Sequence, residues 1–290
     1  MFKKLIVVNQ MSPYDHLVLK FAKSLKFLGA EEVVLANHIV SRGDQKATPY
    51  EGSDIETYLE SLRSEGIKTS VLELLDLPME DINRVVHDDE NFGSLILVGA
   101  KESSLGKRIF DSEFAYELIQ MPTKPIMIVR IHEDDKGNHY TVPMQGMSHH
   151  SHVLFPTDFS ENAHHAFTYL EKMVEQGLKR VTLMHIQDIS KISPYLDYRI
   201  IEFNQIYRDR LTALRVRLEE LGDVKVDVIL EMGRPFREIN RVINENDIDL
   251  VILGRQGKGI MKDIFIGSNS NNIARRANAS VLLVPREKEQ

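Results

Sequence analysis

The 290-residue sequence contains no cysteine. This absence excludes disulfide bonds, thiolate nucleophiles and zinc sites built on cysteine. The sequence has fewer basic than acidic residues: it contains 36 lysines and arginines and 43 aspartates and glutamates, so the formal net charge is −7. Chains that bind nucleic acid normally carry a basic face, so the sequence predicts no nucleic acid partner.

Long hydrophobic runs are missing as well. No apolar stretch approaches the roughly 20 residues of a membrane span, so we expect no membrane partner. The N-terminal segment, MFKKLIVVNQ, has only a short apolar patch and lacks the small-residue cleavage site of a signal peptide. These features predict a cytoplasmic globular protein that is long enough for two domains of ordinary size.

The chain repeats one pattern of apolar runs in its two halves. Near-continuous aliphatic strands that alternate with helical segments favour parallel sheets covered on both faces. The sequence therefore predicts an α/β fold with two doubly wound five-stranded parallel sheets, each with strand order 3-2-1-4-5. The repeated features are a serine after the first run, a histidine ending the second and a glycine ending the fourth: Ser12 and Ser160, His38 and His185, and Gly99 and Gly254. The equivalent positions of the histidines indicate a packing or hydrogen-bond role rather than catalysis.

A polar segment that contains glycine and proline separates the two halves, which marks it as a linker. We therefore predict domains at residues 1–131 and 151–290, joined by a linker at 132–150. Within the second half, residues 195–221 combine helical apolar spacing with many charges. This pattern predicts a long amphipathic helix on the sheet, and a specialised partner surface is the alternative.

The most informative stretch is Leu250–Ser268, which reads LVILGRQGKGIMKDIFIGS. An apolar run stops at Gly254, and Gly257 and Gly267–Ser268 follow before a helical segment. Glycines ahead of a helix let backbone N–H groups approach a phosphate. Ligands of doubly wound sheets bind beyond the strand carboxyl ends. Since Asp158 follows the first strand of the same half, we expect it to face the same crevice.

Taken together, these residues resemble the universal stress protein family, as a tandem of two domains that covers nearly the whole chain. The resemblance implies the fold of that family, which belongs to the HUP or adenine nucleotide alpha hydrolase-like class. It also implies an ATP or AMP ligand, with or without Mg²⁺, and a regulatory role in the stress response. The predicted nucleotide site comprises twelve residues of the second half: Pro156, Thr157, Asp158, Ile186, Leu253, Gly254, Arg255, Gly257, Lys258, Gly267, Ser268 and Asn269.

The resemblance and the chemistry of the side chains give these residues separate roles. Asp158 is expected to accept a hydrogen bond from adenine or ribose, and capping of the following helix is its alternative role. Ile186 is expected to pack near the base. Gly267–Asn269 are expected to present N–H donors to the phosphates at the positive end of a helix. Arg255 and Lys258 contact the outer phosphates or, alternatively, are only solvated.

The first half departs from this pattern. Alignment of the shared serines places Gln10 opposite Asp158, so the carboxylate is lost. Glu102 stands where the second half has Gly257, and Ser112–Glu113 stand where it has glycine and serine. Carboxylates repel phosphate, and the missing glycines reintroduce Cβ atoms. We therefore predict that the first domain does not bind ATP by this mode.

Other phosphate-binding motifs are absent from the sequence. It contains neither the Gly-x-x-x-x-Gly-Lys-Ser/Thr loop nor the Gly-x-Gly-x-x-Gly fingerprint. Histidines cluster at His149, His150 and His152, but their place in a linker favours solvated side chains over a metal site. We predict no catalytic and no metal-binding residue.

Three functional hypotheses remain open. The leading one is a nucleotide-binding regulator, with the nucleotide held by the second domain, rather than an efficient enzyme. The alternative is a slow ATPase or a self-phosphorylating protein that uses the same site and Ser268. The third is a structural pairing protein whose sites are relics. The apolar final strands predict pairing of the two domains within one chain and leave a homodimer open.

Overall fold

In the computed structural model, the described residues are 1–9, 12–39, 55–75, 94–101, 119, 124–133, 140–142, 146–188, 200–255 and 267–286. The chain divides into two compact units, Met1–Ser148 and His149–Gln290. Within the described ranges, no helix is both long enough and apolar enough to cross a membrane.

The first unit is built on a parallel sheet with strand order β3-β2-β1-β4-β5, to which β6 adds an antiparallel pair with β5. Its described strands are β1 (Lys4–Asn9), β2 (Glu32–Ile39), β3 (Lys68–Leu75), β4 (Ser94–Lys101), β5 (Ile126–Glu133) and β6 (Tyr140–Thr141). Its described helices are α1 (Asp15–Ser24), a 3₁₀ turn (Leu25–Leu28) and α2 (Ile55–Ser64).

The second unit has a parallel sheet with strand order β11-β10-β7-β8-β9. Its strands are β7 (His152–Pro156), β8 (Arg180–Asp188), β9 (Lys225–Gly233), β10 (Leu250–Gly254) and β11 (Ser280–Val284). Its described helices are α3 (Glu161–Glu175), α4 (Ile200–Leu221), α5 (Pro235–Glu245) and α6 (Ser268–Arg276).

Both sheets confirm the predicted α/β class, and within each unit the strands follow the predicted order 3-2-1-4-5. The central strands are largely apolar because both of their faces are covered. In β7, for example, all five residues are buried. In the second unit α3 contacts α4, and α5 contacts α6, so two pairs of helices cover the sheet.

Local sequence signals explain where the helices of the second unit begin. The Ser160 hydroxyl accepts a hydrogen bond from the Ala163 amide at 3.2 Å, which caps α3. Pro235 occupies the first turn of α5, where its missing N–H costs no hydrogen bond. The long helix predicted at 195–221 is present as α4, which is described from Ile200, and its first five predicted residues lie outside the described ranges.

Part of the segment predicted as a linker at 132–150 packs on the first unit. β5 extends to Glu133, and Tyr140 pairs with it in β6. Further along, the Met147 amide donates to the Ser24 hydroxyl at 2.8 Å. Composition alone had marked these residues as a linker, because short stretches of polar residues give no sign of such long-range contacts.

His152 is buried at the start of β7, with 2% of its surface exposed, so the prediction that it is a solvated linker histidine is wrong. Its Nδ1 donates to the Asn246 carbonyl at 2.9 Å, and its Nε2 accepts from the Thr182 hydroxyl at 2.8 Å. Burial lowers the pKa of His152 below its ordinary value, since the charged imidazolium would lose its hydration.

This burial predicts a pH dependence of stability. Because the pKa of His152 is lowered in the folded state, the unfolded chain takes up the proton first as the pH drops below about 6.5. The free energy of unfolding should therefore decrease below that pH in the wild type by more than in His152→Gln. Urea unfolding between pH 8 and pH 5 measures this difference. At pH 8 the imidazole is neutral in both states, so the difference there reports only the structural cost of the substitution. A difference that stays constant across the whole range would contradict the prediction.

Candidate functional site

A tightly bonded turn follows the first strand of the second unit. The Thr157 amide donates to the Met184 carbonyl at 2.8 Å, which extends the pairing of β7 with β8 by one residue. The Thr157 hydroxyl accepts from the Phe159 amide at 3.0 Å, and Asp158 Oδ1 accepts from the Ser160 amide at 3.0 Å. Ser160 rather than Asp158 caps α3, so the alternative role of Asp158 as the helix cap is wrong. Asp158 instead closes the turn just before the helix.

Phe159, the third residue of this turn, has a φ of 57°. A bulky residue rarely adopts this left-handed conformation, which the surrounding structure must therefore enforce. The Phe159 ring lies in a cluster with His185 and Tyr207, at centroid distances of 5.0 and 5.9 Å. The Arg210 guanidinium lies 5.4 Å from the ring centroid of Phe159.

His185, near the end of β8, connects this cluster to the turn. Its Nδ1 donates to the Thr157 carbonyl at 2.7 Å, and its ring centroid lies 4.1 Å from that of Tyr207. The histidine therefore has the packing and hydrogen-bond role that its position at a strand end predicts. Ile186, the next residue, is half-buried and points to the opposite face of the sheet, because successive side chains of a strand alternate.

Gly254, at the end of β10, lies against the first turn of α3. A Cβ atom at this position would lie 2.7 Å from the Asn162 carbonyl oxygen. The glycine is thus explained by packing, without reference to a ligand. Gly99 of the first unit has the same requirement, since its Cβ would lie 2.9 Å from Val18 Cγ2 and 3.0 Å from Tyr14 Cε2. Gly99 therefore remains in the half that has lost the rest of the motif.

The N-terminus of α6 is fixed against the end of β10. The Arg255 amide donates to the Val284 carbonyl at 2.8 Å, and the Gly267 amide donates to the Arg255 carbonyl at 2.9 Å. The Ser270 hydroxyl donates to the Gly254 carbonyl at 2.9 Å. Because the Gly267 N–H is used within the protein, the predicted phosphate donors are reduced to those of Ser268 and Asn269.

The start of α6 favours negative charge. Gly267 occupies the capping position without a side-chain hydrogen bond, and the first turn of α6 has no acidic residue. The positive end of the helix dipole therefore favours an anion. Gly257 and Lys258 of the predicted site lie outside the described residues.

The structure brings most of the predicted site to one edge of the sheet. β10, β7 and β8 are neighbours in the sheet and run parallel, so their carboxyl ends meet there. Predicted residues at this edge, in chain order, are Pro156, Thr157, Asp158, Ile186, Leu253, Gly254, Arg255 and Gly267. Sequence reasoning missed Phe159, Tyr207 and Arg210. No local pattern identifies Tyr207, because it is separated from His185 by 21 residues of chain.

The corresponding edge of the first unit is occupied by its own side chains. Asn9 Nδ2 donates to Asn37 Oδ1 at 2.7 Å, and Asn9 is 3% exposed. Lys101 Nζ lies 2.9 Å from Glu133 Oε2, and the Tyr140 hydroxyl donates to Glu133 Oε1 at 3.1 Å. Polar groups at this edge thus bind one another.

Residues 149–285 match the model of the universal stress protein family. Universal stress protein MJ0577 of Methanocaldococcus jannaschii is 29% identical to this chain over 154 residues, which cover 47% of this chain and 94% of that protein. The crystal structure of a universal stress protein from Archaeoglobus fulgidus DSM 4304 covers 99% of this chain and 97% of its own, with 18% identity and a TM-score of 0.63. This likeness shows that the whole chain shares the fold.

A universal stress protein solved in complex with cAMP covers 47% of this chain, with 22% identity and a TM-score of 0.38.

The packing explanation of the two strand-end glycines can be tested directly. Gly254→Ala would push a methyl group against backbone atoms of α3, whereas Gly99→Ala would meet side-chain atoms of Val18 and Tyr14, which shift at lower cost than helix backbone. We expect Gly254→Ala to lower the free energy of unfolding by about 1–3 kcal/mol and Gly99→Ala by less. Urea unfolding followed by circular dichroism measures both changes. A larger loss in Gly99→Ala, or no loss in Gly254→Ala, would contradict the packing argument.

Proposed function

We propose that this chain belongs to the universal stress protein family, whose model matches residues 149–285, and that its second unit binds an adenine nucleotide, ATP or AMP. The protein acts as a cytoplasmic stress-response regulator whose state depends on that nucleotide. The observation that carries the proposal is the meeting of three features at one sheet edge: the Asp158 turn, the end of β10 and the uncapped start of α6.

The start of α6 supplies the phosphate-binding part of the proposed site. The hydrogen bonds of Gly267 and Ser270 hold this helix end at the carboxyl end of β10. Phosphate is favoured there because the first N–H groups of a helix have no partner within the helix and because the helix dipole attracts an anion. Ser268 and Asn269 are the proposed donors, while Arg255 and Lys258 contact the outer phosphates. Bound Mg²⁺ would neutralise part of the phosphate charge if it accompanies ATP.

The turn after β7 supplies the part that binds the nucleoside. The Ser160 amide holds Asp158 Oδ1 at 3.0 Å, so the carboxylate has a defined orientation at the sheet edge. A carboxylate accepts hydrogen bonds from both the adenine amino group and the ribose hydroxyls. In the proposed site Asp158 makes one of these contacts, and the half-buried Ile186 packs near the base.

The first unit does not share this function in our proposal. Asn9 is paired with Asn37, and Glu133 receives both Lys101 and Tyr140 at the equivalent edge. A nucleotide would have to break these contacts and approach Glu133. The proposal therefore requires a single nucleotide for each chain.

Isothermal titration calorimetry with ATP and with AMP tests the proposal. The full chain should bind one nucleotide, and Gly257→Glu should bind none, because it places a carboxylate in the phosphate loop. Glu102→Gly alters the corresponding sequence position of the first half and serves as the matched control. It should leave the affinity and the stoichiometry unchanged.

Two results would reject the proposal. One is an affinity of Gly257→Glu equal to that of the wild type. The other is a change in the affinity or the stoichiometry caused by Glu102→Gly, which would place the bound nucleotide in the first unit. Mass analysis of nucleotide released from the freshly purified protein would then distinguish ATP from AMP as the resident ligand.

A further inference from the structure

We propose that Tyr207 of α4 is a positioning residue for the turn Thr157–Ser160, and that this contact couples α4 to the nucleotide site. The coupling to the nucleotide site rests on the proposed function, whereas the positioning role of Tyr207 does not. It assigns a role to the ring cluster of Phe159, His185 and Tyr207, none of which belongs to the predicted nucleotide site.

The contacts form a continuous path from α4 to the turn. The Tyr207 ring packs on His185, whose Nδ1 donates to the Thr157 carbonyl. Tyr207 also stacks on Phe159, with an angle of 9° between the ring planes. A single side chain of α4 therefore contacts the turn directly and also supports the histidine that holds the first residue of the turn.

The left-handed backbone of Phe159 explains why such support is needed. A non-glycine residue in this region is strained, and this conformation persists only when its surroundings enforce it. Ring contacts with His185 and Tyr207, together with the Arg210 guanidinium, supply that constraint here. Loss of the Tyr207 ring would let Phe159 relax and would change the direction of the neighbouring Asp158 carboxylate.

The two halves of α4 differ in how much of their side-chain surface is buried. The less buried first half is the part that a bound nucleotide could order. Residues 201–210 include no buried side chain, whereas Leu211 and Leu218 are fully buried. The contacts of this first half include Tyr207 and Arg210 on Phe159, and Asn204, whose Oδ1 accepts from Gln187 Nε2 at 2.7 Å. Polar and ring contacts thus join this half to the carboxyl end of β8. Segments with few buried apolar contacts are the ones that open most readily.

The coupling must act in both directions. If the position of α4 affects the affinity of the turn for a nucleotide, the nucleotide must affect α4 by the same free energy. A bound nucleotide would therefore order the first half of α4, which carries the exposed side chains of Ile201 and Ile206.

The experiment compares the full-length wild type with Tyr207→Ala, Tyr207→Phe and Val216→Ala. Tyr207→Phe keeps the ring, and Val216→Ala truncates an exposed side chain farther along the same helix. Two quantities are measured: hydrogen exchange of the Phe159 and Ser160 amides without nucleotide, and the dissociation constant for ATP or AMP. Tyr207→Ala should raise both by about tenfold, the change that corresponds to about 1.4 kcal/mol. The other two variants should stay within about twofold of the wild type.

The outcomes separate this inference from the proposed function. If exchange is faster only in Tyr207→Ala and the wild type binds no nucleotide, the positioning role is supported and the nucleotide site is rejected. Unchanged exchange in Tyr207→Ala, or equal effects of all three variants, would overturn the positioning role. If the wild type binds nucleotide and Tyr207→Ala binds equally well, the coupling is likewise rejected.

Discussion

The close approach of the end of β10 to the first turn of α3 is the constraint on which the second unit depends. Gly254 lies so near the Asn162 carbonyl that no larger residue fits without movement of backbone. This contact sets how far α3 can lie from the sheet. It thereby sets where the Asp158 turn, which leads into α3, meets the end of β10. Binding geometry at this edge is a consequence of strand–helix packing.

The fold was largely predictable from the sequence, because it follows from the order of apolar runs. Strands such as β7 and β10 are buried on both faces, and burial of that kind leaves a short apolar run in the sequence. Ser160 likewise marked the start of α3, since capping is local chemistry. Contacts between residues distant in sequence had no such signature. β6 and the docking of Met147 on Ser24 belong to this class.

The candidate site was predictable in its outline but not in its internal support. Gly254, Asp158 and the start of α6 follow from motif spacing and from the rule that ligands of such sheets bind at strand carboxyl ends. From the sequence, Gly254 is interpreted as leaving room for a nucleotide, whereas in the structure it leaves room for the first turn of α3. A sequence does not show which atoms lie within 3 Å of a missing Cβ. The ring cluster was missed because its members come from a turn, a strand and a helix that only the folded chain brings together.

The β5–β6 pairing has a practical consequence for dividing the chain. A gene fragment that ends at residue 131 would remove Glu133 and Tyr140, and with them the ion pair to Lys101. It would also delete Met147, whose backbone binds Ser24 at the end of α1. Separate expression of the N-terminal half should accordingly extend through Ser148, the natural boundary of its compact unit.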